Sequence, residues 1–175
     1  ASTGGFTDCL IQRGAKKVFA IDVGYGQLAW KLRQDERVIS IERTNIRHMS
    51  LEAIGESVDL AVIDTSFISL RIVLPAVLKF LKKYAIIVAL IKPQFEAGKK
   101  DVARGDGVIR DPEIHRQVLL DVLSFAKSEG FGLRGLIKSP LLGPKGNAEF
   151  LVWLDLLPKE VSVEDFVNHV MEQEI

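Results

Sequence analysis

Apolar runs of strand length alternate along this chain with segments that have helical periodicity. Segment 70–82 repeats apolar residues every three to four positions, as an amphipathic helix does, and shorter helical patterns cover 6–13 and 27–33. Asp111 and Pro112 are typical of a helix start, and they open a helix that runs to residue 129. The runs that predict strands are 18–22, 38–42, 59–63, 85–91, 132–137 and 149–154. This alternation predicts an α/β fold with a mostly parallel, doubly wound sheet.

The end of the chain departs from this alternation. A loop without a helix joins the last two predicted strands, so we expect them to be antiparallel neighbours. In the tail, 156–175, Ser162 and Asp165 resemble a capping box, and apolar residues follow at helical spacing. We therefore predict a C-terminal amphipathic helix packed on the same domain. At 175 residues and 47% hydrophobic content, a single domain is the default.

Composition and charge exclude several classes of function. Lys and Arg number 23, as do Asp and Glu, so no global field draws the chain to nucleic acid or to a membrane surface. The longest apolar stretch, 85–91, is far below the roughly 18 residues of a membrane span, and no signal peptide is visible. The single cysteine cannot form an internal disulfide, and the histidines lack metal-ligand spacing. These features predict a soluble cytoplasmic protein without a metal.

A glycine-rich segment followed by a strand that ends in a carboxylate predicts a cofactor site. Gly4 and Gly5 lie in the segment, and Asp22 ends the strand 18 positions after Gly4. Glycines let a backbone approach a ligand closely, and the following helix offers unpaired N–H groups to an anion. An acid about 20 residues further along can accept two hydrogen bonds from a ribose diol. The pattern predicts an adenosine-containing cofactor.

A second segment fits a competing pattern. Gly24, Gly26 and Ala29 match G-x-G-x-x-A after a strand, and Glu42 ends the next predicted strand 18 positions after Gly24. This is the pattern of a dinucleotide-dependent dehydrogenase. A lone fingerprint does not decide, so both nucleotide sites remain open at this point.

Polar side chains follow the predicted strands where an open parallel sheet binds its ligands, beyond the carboxyl ends. Asp64 follows one strand, Lys92 follows the next, and Glu149 begins the last. A lysine can accept the proton of a weakly acidic hydroxyl when its surroundings favour the neutral amine, although nearby carboxylates oppose this. Lys92 is our candidate base, with Asp64 and Glu149 orienting it. A role as a positioning cation stays open.

The chain carries seven motifs in order: ASTGGFTDCL, DVGYGQLAWKLR, IERTN, DLAVIDTSFISL, VALIKPQFEAG, GVIRDPEIHR and GPKGNAEFLVWL. On these it closely resembles the TlyA (hemolysin A) family over residues 1–154. The resemblance implies a Rossmann-like methyltransferase fold, an FtsJ-like domain at 1–155 and S-adenosyl-L-methionine as cofactor. It further implies methylation of the ribose 2′-hydroxyl of rRNA, usually on cytidine. A first strand and a small S4-like RNA-binding domain, which helps to bind rRNA or ribosomal subunits, are expected upstream.

The resemblance also implies site residues. Asp64, Lys92 and Glu149 match the last three members of the Lys-Asp-Lys-Glu tetrad of related ribose methyltransferases, and the first lysine would lie upstream. The implied cofactor-binding residues are Ser2, Thr3, Gly4, Gly5, Phe6, Asp22, Thr44, Asn45 and Asp64. Tyr25 fits an adenine cover and ordinary packing equally, and we expect Phe67 to lie in the core.

A basic stretch between residues 92 and 110 carries a net charge of plus two and several glycines. It predicts a mobile loop over the site that contacts RNA phosphates, against the alternative of a solvated surface loop. The predicted RNA-binding residues are Lys99, Lys100, Arg104, Arg110 and Lys145. Other functions remain open: a dehydrogenase, a cytolysin suggested only by the hemolysin name, and a cofactor-binding domain without catalysis.

Overall fold

The structure is a computed structural model that describes residues 1–98 and 107–172. Two compact units divide it, Ala1–Ser57 and Val58–Ile175. The first unit contains α1 (Gly5–Gln12), β1 (Val18–Ile21), α2 (Trp30–Arg33), β2 (Val38–Ile41) and a 3₁₀ turn at Leu51–Ala53. β1 and β2 pair in parallel with Val18 opposite Val38. The core of this unit consists of Ile11, Val18, Ala20, Leu28, Leu32 and Val38.

The helix predicted at 27–33 begins only at Trp30. Gly26 has a positive φ of 73°, which is not helical backbone, and the Ala29 N–H donates to the carbonyl of Thr3 at 3.1 Å. The loop after β1 is therefore tied to the glycine-rich segment. This tertiary hydrogen bond replaces the first turn that the local pattern predicts.

The second unit is a four-stranded mixed sheet with helices. Its order is β3-β4-β6-β5, in which β3 and β4 are parallel and β6 is antiparallel to both of its neighbours. The α/β class, the mostly parallel sheet and the antiparallel last strand are thus confirmed. The elements are β3 (Val58–Ile63), α3 (Leu70–Val77), a 3₁₀ turn (Leu78–Phe80), β4 (Leu81–Ile91), α4 (Pro93–Glu96), α5 (Pro112–Ser128), β5 (Gly132–Lys138), a 3₁₀ turn (Pro144–Gly146), β6 (Phe150–Asp155) and α6 (Val163–Met171).

The helix predicted over 70–82 is too long by five residues. It ends at Val77, and β4 begins at Leu81, which lies opposite Val58 in β3. Pairing with β3 therefore makes the end of this segment a strand, although its apolar residues have helical spacing. Apolar side chains of β4 and β6 fill the core of this unit, where Ile87, Ile91 and Phe150 are fully buried.

Helices α5 and α6 start where their capping residues predict. The Asp111 carboxylate accepts from the Glu113 N–H at 2.9 Å, and the Ser162 hydroxyl accepts from the Asp165 N–H at 3.1 Å. α6 buries Val163, Val167 and Val170, and packs against α5 and β5. Within the ranges that the structure describes, no helix combines the length and apolar character of a membrane span.

Candidate active site

The glycine-rich segment forms a tight turn at the start of α1 in the first unit. Gly4 is the N-cap residue, with φ +100° and ψ 25°, and its N–H donates to the Ala1 carbonyl at 3.0 Å. A Cβ there would lie 2.3 Å from Leu32 Cδ1 and 2.7 Å from Leu28 Cδ1. No side chain caps α1, so the N–H groups of its first turn remain open to an anion.

Asp22 lies directly after β1 and binds this segment through its carboxylate. Oδ2 accepts from the backbone nitrogen of Ala1 and from the Ser2 N–H, each at 2.6 Å, and Oδ1 accepts from the Gly24 N–H at 2.8 Å. Partial burial acts to raise the pKa of Asp22, but these hydrogen bonds outweigh it and lower the pKa to about 2. Asp22 is therefore an ionised acceptor, and an oxygen of an ionised carboxylate can accept more than one hydrogen bond.

The residues after β2 lie beside Asp22. The Thr44 N–H donates to the Asp22 carbonyl at 3.0 Å, and the Thr44 hydroxyl donates to the Glu42 carbonyl at 2.9 Å. Asn45 Oδ1 accepts from the Arg47 N–H at 3.1 Å, which closes a local turn. The structure thus brings Ser2, Asp22 and Thr44 together.

The competing dinucleotide pattern does not form a nucleotide turn. Glu42 Oε1 accepts from the Gly26 N–H at 2.9 Å and pairs with the Arg33 guanidinium. The helix that should follow the glycines directly begins only at Trp30 and has four residues. Tyr25 lies exposed beneath the Arg43 guanidinium, whose carbon is 4.3 Å from the ring centroid.

Lys92 and Asp64 meet in the second unit, at the carboxyl ends of β4 and β3. Because these strands are parallel neighbours, residues that follow them share one edge of the sheet. Lys92 Nζ lies 2.5 Å from Asp64 Oδ1 and 3.5 Å from Ser66 Oγ. The Lys92 side chain is 10% exposed and that of Asp64 is 40% exposed. The pair holds a mostly buried amine at a solvent-accessible edge.

Glu149 reaches the same edge because β6 runs antiparallel to β4, with Phe150 opposite Ile91. It is buried, and its Oε1 accepts from Gln94 Nε2 at 3.0 Å. Among the described residues, the ion pair of Lys92 is with Asp64 and not with Glu149. Both carboxylates were expected to orient Lys92, whereas Gln94 was not among the predicted site residues. The sequence offered one indication that Gln94 belongs to the site, namely its position two residues after Lys92.

Phe67 was expected in the core, and this is wrong. It is 90% exposed, with φ +63°, and its ring centroid lies 4.8 Å from that of Phe95. The loop between Asp64 and α3 is held by its polar members: the Ser69 hydroxyl donates to Glu96 Oε2 at 2.6 Å, and the Leu70 N–H donates to Oε1 at 2.7 Å. Burial of Glu96 raises its pKa. The Phe67 ring lies at the surface, beside that of Phe95.

Two of the predicted RNA-binding residues lie in the described part of the chain. Arg110 is exposed directly before α5, and Lys145 is exposed in the loop between β5 and β6. The Asn147 side chain joins these segments: Nδ2 donates to the Gly107 carbonyl and Oδ1 accepts from the Ile109 N–H, both at 3.1 Å. Lys99, Lys100 and Arg104 lie outside the described residues. No cluster of potential metal ligands occurs in 1–98 or 107–172.

Comparisons with known proteins identify the family of this chain. The FtsJ-like methyltransferase family matches residues 1–156. The 16S/23S rRNA (cytidine-2′-O)-methyltransferase TlyA of Mycobacterium tuberculosis is 53% identical over 99% of this chain and 66% of its own length. A candidate hemolysin of Streptococcus thermophilus has a solved structure that is 45% identical, with a TM-score of 0.89, over 99% of this chain and 65% of that chain.

The fold extends to distant methyltransferases. The N-methyltransferase NodS of Bradyrhizobium japonicum is 16% identical, with a TM-score of 0.60 over 90% of this chain and 82% of that chain. The chain spans between 55% and 66% of the length of the curated relatives that it matches. The matched residues include both the glycine-rich segment and the Asp64, Lys92 and Glu149 edge. The chain therefore belongs to the FtsJ-like methyltransferase family, within its TlyA (hemolysin A) group.

Proposed function

We propose that this chain is the catalytic part of an S-adenosyl-L-methionine-dependent methyltransferase that acts on the ribose 2′-hydroxyl of cytidine in rRNA. The observation that carries the proposal is the buried Lys92 amine paired with Asp64, with Glu149 following at the edge of the same sheet. The 53% identity to an rRNA (cytidine-2′-O)-methyltransferase supports this substrate. Because its substrate is ribosomal, we infer that the enzyme acts in the cytoplasm.

The first unit suits the cofactor. Gly4 and Gly5 let the backbone approach it, and the open N–H groups of α1 suit its carboxylate. Ser2, Thr3 and Phe6 would line the methionine portion, Asp22 would accept the ribose hydroxyls, and Thr44 and Asn45 would face the adenine. Since Asp22 is ionised at neutral pH, it is a strong acceptor for two hydroxyl donors. S-adenosyl-L-methionine supplies a methyl group on a positively charged sulfur.

The second unit suits the nucleophile. Lys92 Nζ would contact the 2′-hydroxyl, and Asp64 would hold Nζ in place through their 2.5 Å pair. As the hydroxyl oxygen forms its bond to the methyl carbon and the carbon–sulfur bond of the cofactor breaks, the hydroxyl proton passes to the Lys92 amine when it is neutral, or to the Asp64 carboxylate beside it when Lys92 is an ammonium. Glu149 would fix the ribose from the side of β6. In-line positioning by these three groups supplies much of the rate, whichever of them takes the proton.

Exposed aromatic and basic residues suit the RNA. Phe67 lies three residues after Asp64, and its exposed ring offers a stacking platform for an unstacked base. Arg110 and Lys145 would contact phosphates, together with Lys99, Lys100 and Arg104. The S4-like domain remains a prediction of the resemblance, as a further source of RNA affinity.

The test is single-turnover methylation of ribosomal subunits by the intact protein. Lys92→Ala should lower the rate by roughly 10²- to 10⁴-fold, the usual range for acid-base catalysis, while cofactor affinity hardly changes. Lys92→Arg should also fail, because a guanidinium does not release its proton and needs different room. Lys83 is an exposed lysine on β4, the strand that Lys92 follows, so Lys83→Ala is the matched control and should keep the wild-type rate.

Product analysis completes the test. The methyl group should appear on a cytidine ribose. Methylation on a base, or a rate for Lys92→Ala within about threefold of wild type, would contradict the proposal. Loss of melting temperature with near-normal turnover would assign Lys92 a purely structural role.

A further inference from the structure

The Glu149 carboxylate is buried and is held from one side by a glutamine. Glu149 and Gln94 are 6% and 8% exposed, and Gln94 Nε2 donates to Glu149 Oε1 at 3.0 Å. Gln94 lies on α4, two residues after Lys92. Because Ile91 of β4 lies opposite Phe150 of β6, the residues just beyond β4 meet the residue just before β6. The hydrogen bond therefore joins the segment that carries Lys92 to the strand that Glu149 precedes.

The direction of this hydrogen bond follows from its chemistry. Gln94 Nε2 is the donor and the Glu149 carboxylate oxygen is the acceptor, so the amide NH₂ of Gln94 faces Glu149 and the amide oxygen faces away. Gln94 Oε1 is buried and has no hydrogen-bond partner within the described ranges. A buried acceptor without a partner costs free energy, and an apolar side chain of the same size would avoid that cost. Packing alone does not explain a glutamine here, whereas the hydrogen bond to Glu149 does.

Gly143 confines the carboxylate from another direction. A Cβ on Gly143 would lie 2.1 Å from Glu149 Oε1 and 2.6 Å from Cδ. Gly143 has φ −73° and ψ −178°, a conformation open to any residue, so the carboxylate rather than the backbone requires a glycine. The loop itself is fixed, since the Gly143 N–H donates to the Asn147 carbonyl and the Ser139 N–H donates to the Glu149 carbonyl, both at 2.8 Å.

We propose that Gln94 is a positioning residue for methyl transfer, which acts by holding the Glu149 carboxylate in a single orientation against Gly143. The inference rests on the proposed function, in which Glu149 contacts the substrate and Gln94 acts through it. Without the amide donor, the carboxylate can rotate away from the ribose, and small misplacements of a group at a reacting centre lower rates by large factors. Binding of the cofactor does not depend on this contact.

The experiment compares variants of the intact protein in single-turnover and steady-state methylation of ribosomal subunits. Gln94→Met keeps the length of the side chain and removes the donor. We expect kcat to fall on the order of 10- to 100-fold, as for loss of a hydrogen bond to a charged group, with KM for cofactor and RNA within about threefold of wild type. Gly143→Ala displaces the same carboxylate by contact and should lower kcat at least as much. Gly135→Ala is the matched control, because its Cβ would meet Trp153 only at 3.8 Å.

A double-mutant cycle separates positioning from a general structural role. If Gln94 acts through Glu149, adding Gln94→Met to Glu149→Gln should slow the enzyme by less than about threefold more. If the rate losses of the two single variants multiply in the double variant, the proposal is wrong. It is also wrong if Gln94→Met keeps the wild-type kcat. A rate that falls only in proportion to the folded fraction, as measured by melting in parallel, would likewise overturn it. A wild-type protein that methylates no RNA would refute the proposed function itself, and the positioning role with it.

Discussion

Gly4 of the glycine-rich segment lies against the core of the first unit, so replacing it should change the stability of that unit. As the N-cap of α1, it has φ +100°, and a Cβ would lie 2.3 Å from Leu32 Cδ1 and 2.7 Å from Leu28 Cδ1. Left-handed backbone costs an alanine about 1–2 kcal/mol, and displacing two buried leucines costs about 1–3 kcal/mol more. We expect Gly4→Ala to lower the free energy of unfolding by about 2–5 kcal/mol, a large share of the roughly 5–15 kcal/mol of a typical domain.

Gly5 is the matched control, one residue further along the chain. A Cβ there meets nothing within 4 Å, and Gly5 is the first residue of α1. Gly5→Ala should therefore leave stability unchanged or raise it by about 0.5–1 kcal/mol. The assay is urea unfolding of the intact protein without cofactor, followed by far-ultraviolet circular dichroism. A Gly4→Ala protein within about 1 kcal/mol of wild type, or equal losses in both variants, would refute this reasoning.

Three further predictions concern the binding residues. Backbone hydrogen bonds from Ser2 and Gly24 act to lower the pKa of Asp22 in the folded protein, so its ionised form stabilises the protein above pH 3.8, and this contribution is lost as the pH falls further. Asp22→Asn should weaken both urea resistance at pH 7 and cofactor binding by calorimetry; unchanged values would remove its assigned role. Phe67→Ala should raise KM for RNA by about tenfold or more, since a stacked base contributes about 1–3 kcal/mol, whereas Phe67→Trp should bind RNA normally; equal KM values would exclude stacking. Arg110→Ala and Lys145→Ala should each flatten the log-log salt dependence of RNA binding by about 0.7–0.9, and an unchanged slope would show that they contact no phosphate.

Hydrophobic periodicity and capping patterns predicted the strands and most of the helices of the described structure, although not α4 and not the point where α3 ends. Every strand of the structure overlaps a predicted one, because alternation and apolar runs report local burial directly. The errors fall where a distant segment competes for the backbone. Leu81 pairs with Val58 instead of continuing α3, and Ala29 bonds to Thr3 instead of starting α2. Neither partner is visible in the local pattern.

The candidate site likewise contains contacts that the sequence predicted and contacts that it did not. The meeting of Asp64 and Lys92 followed from chain order, since parallel neighbouring strands end at one edge of a sheet. The bond between Gln94 and Glu149, residues 55 positions apart, requires the insertion of β6 beside β4. The exposure of Phe67 is likewise seen only in the tertiary structure.

The sequence by itself determined the fold class, the family resemblance and the chemical identity of the polar residues after each strand, because these depend on short patterns and on residue type. Only the tertiary structure decided the partners of those residues. In the structure, Glu42 pairs with Arg33 and Lys92 pairs with Asp64. Glu149 lies between Gln94 and Gly143. The physical reason is that a carboxylate or an amine has many chemically equivalent partners along a chain. Strand order and close packing bring only a few of them within hydrogen-bonding distance.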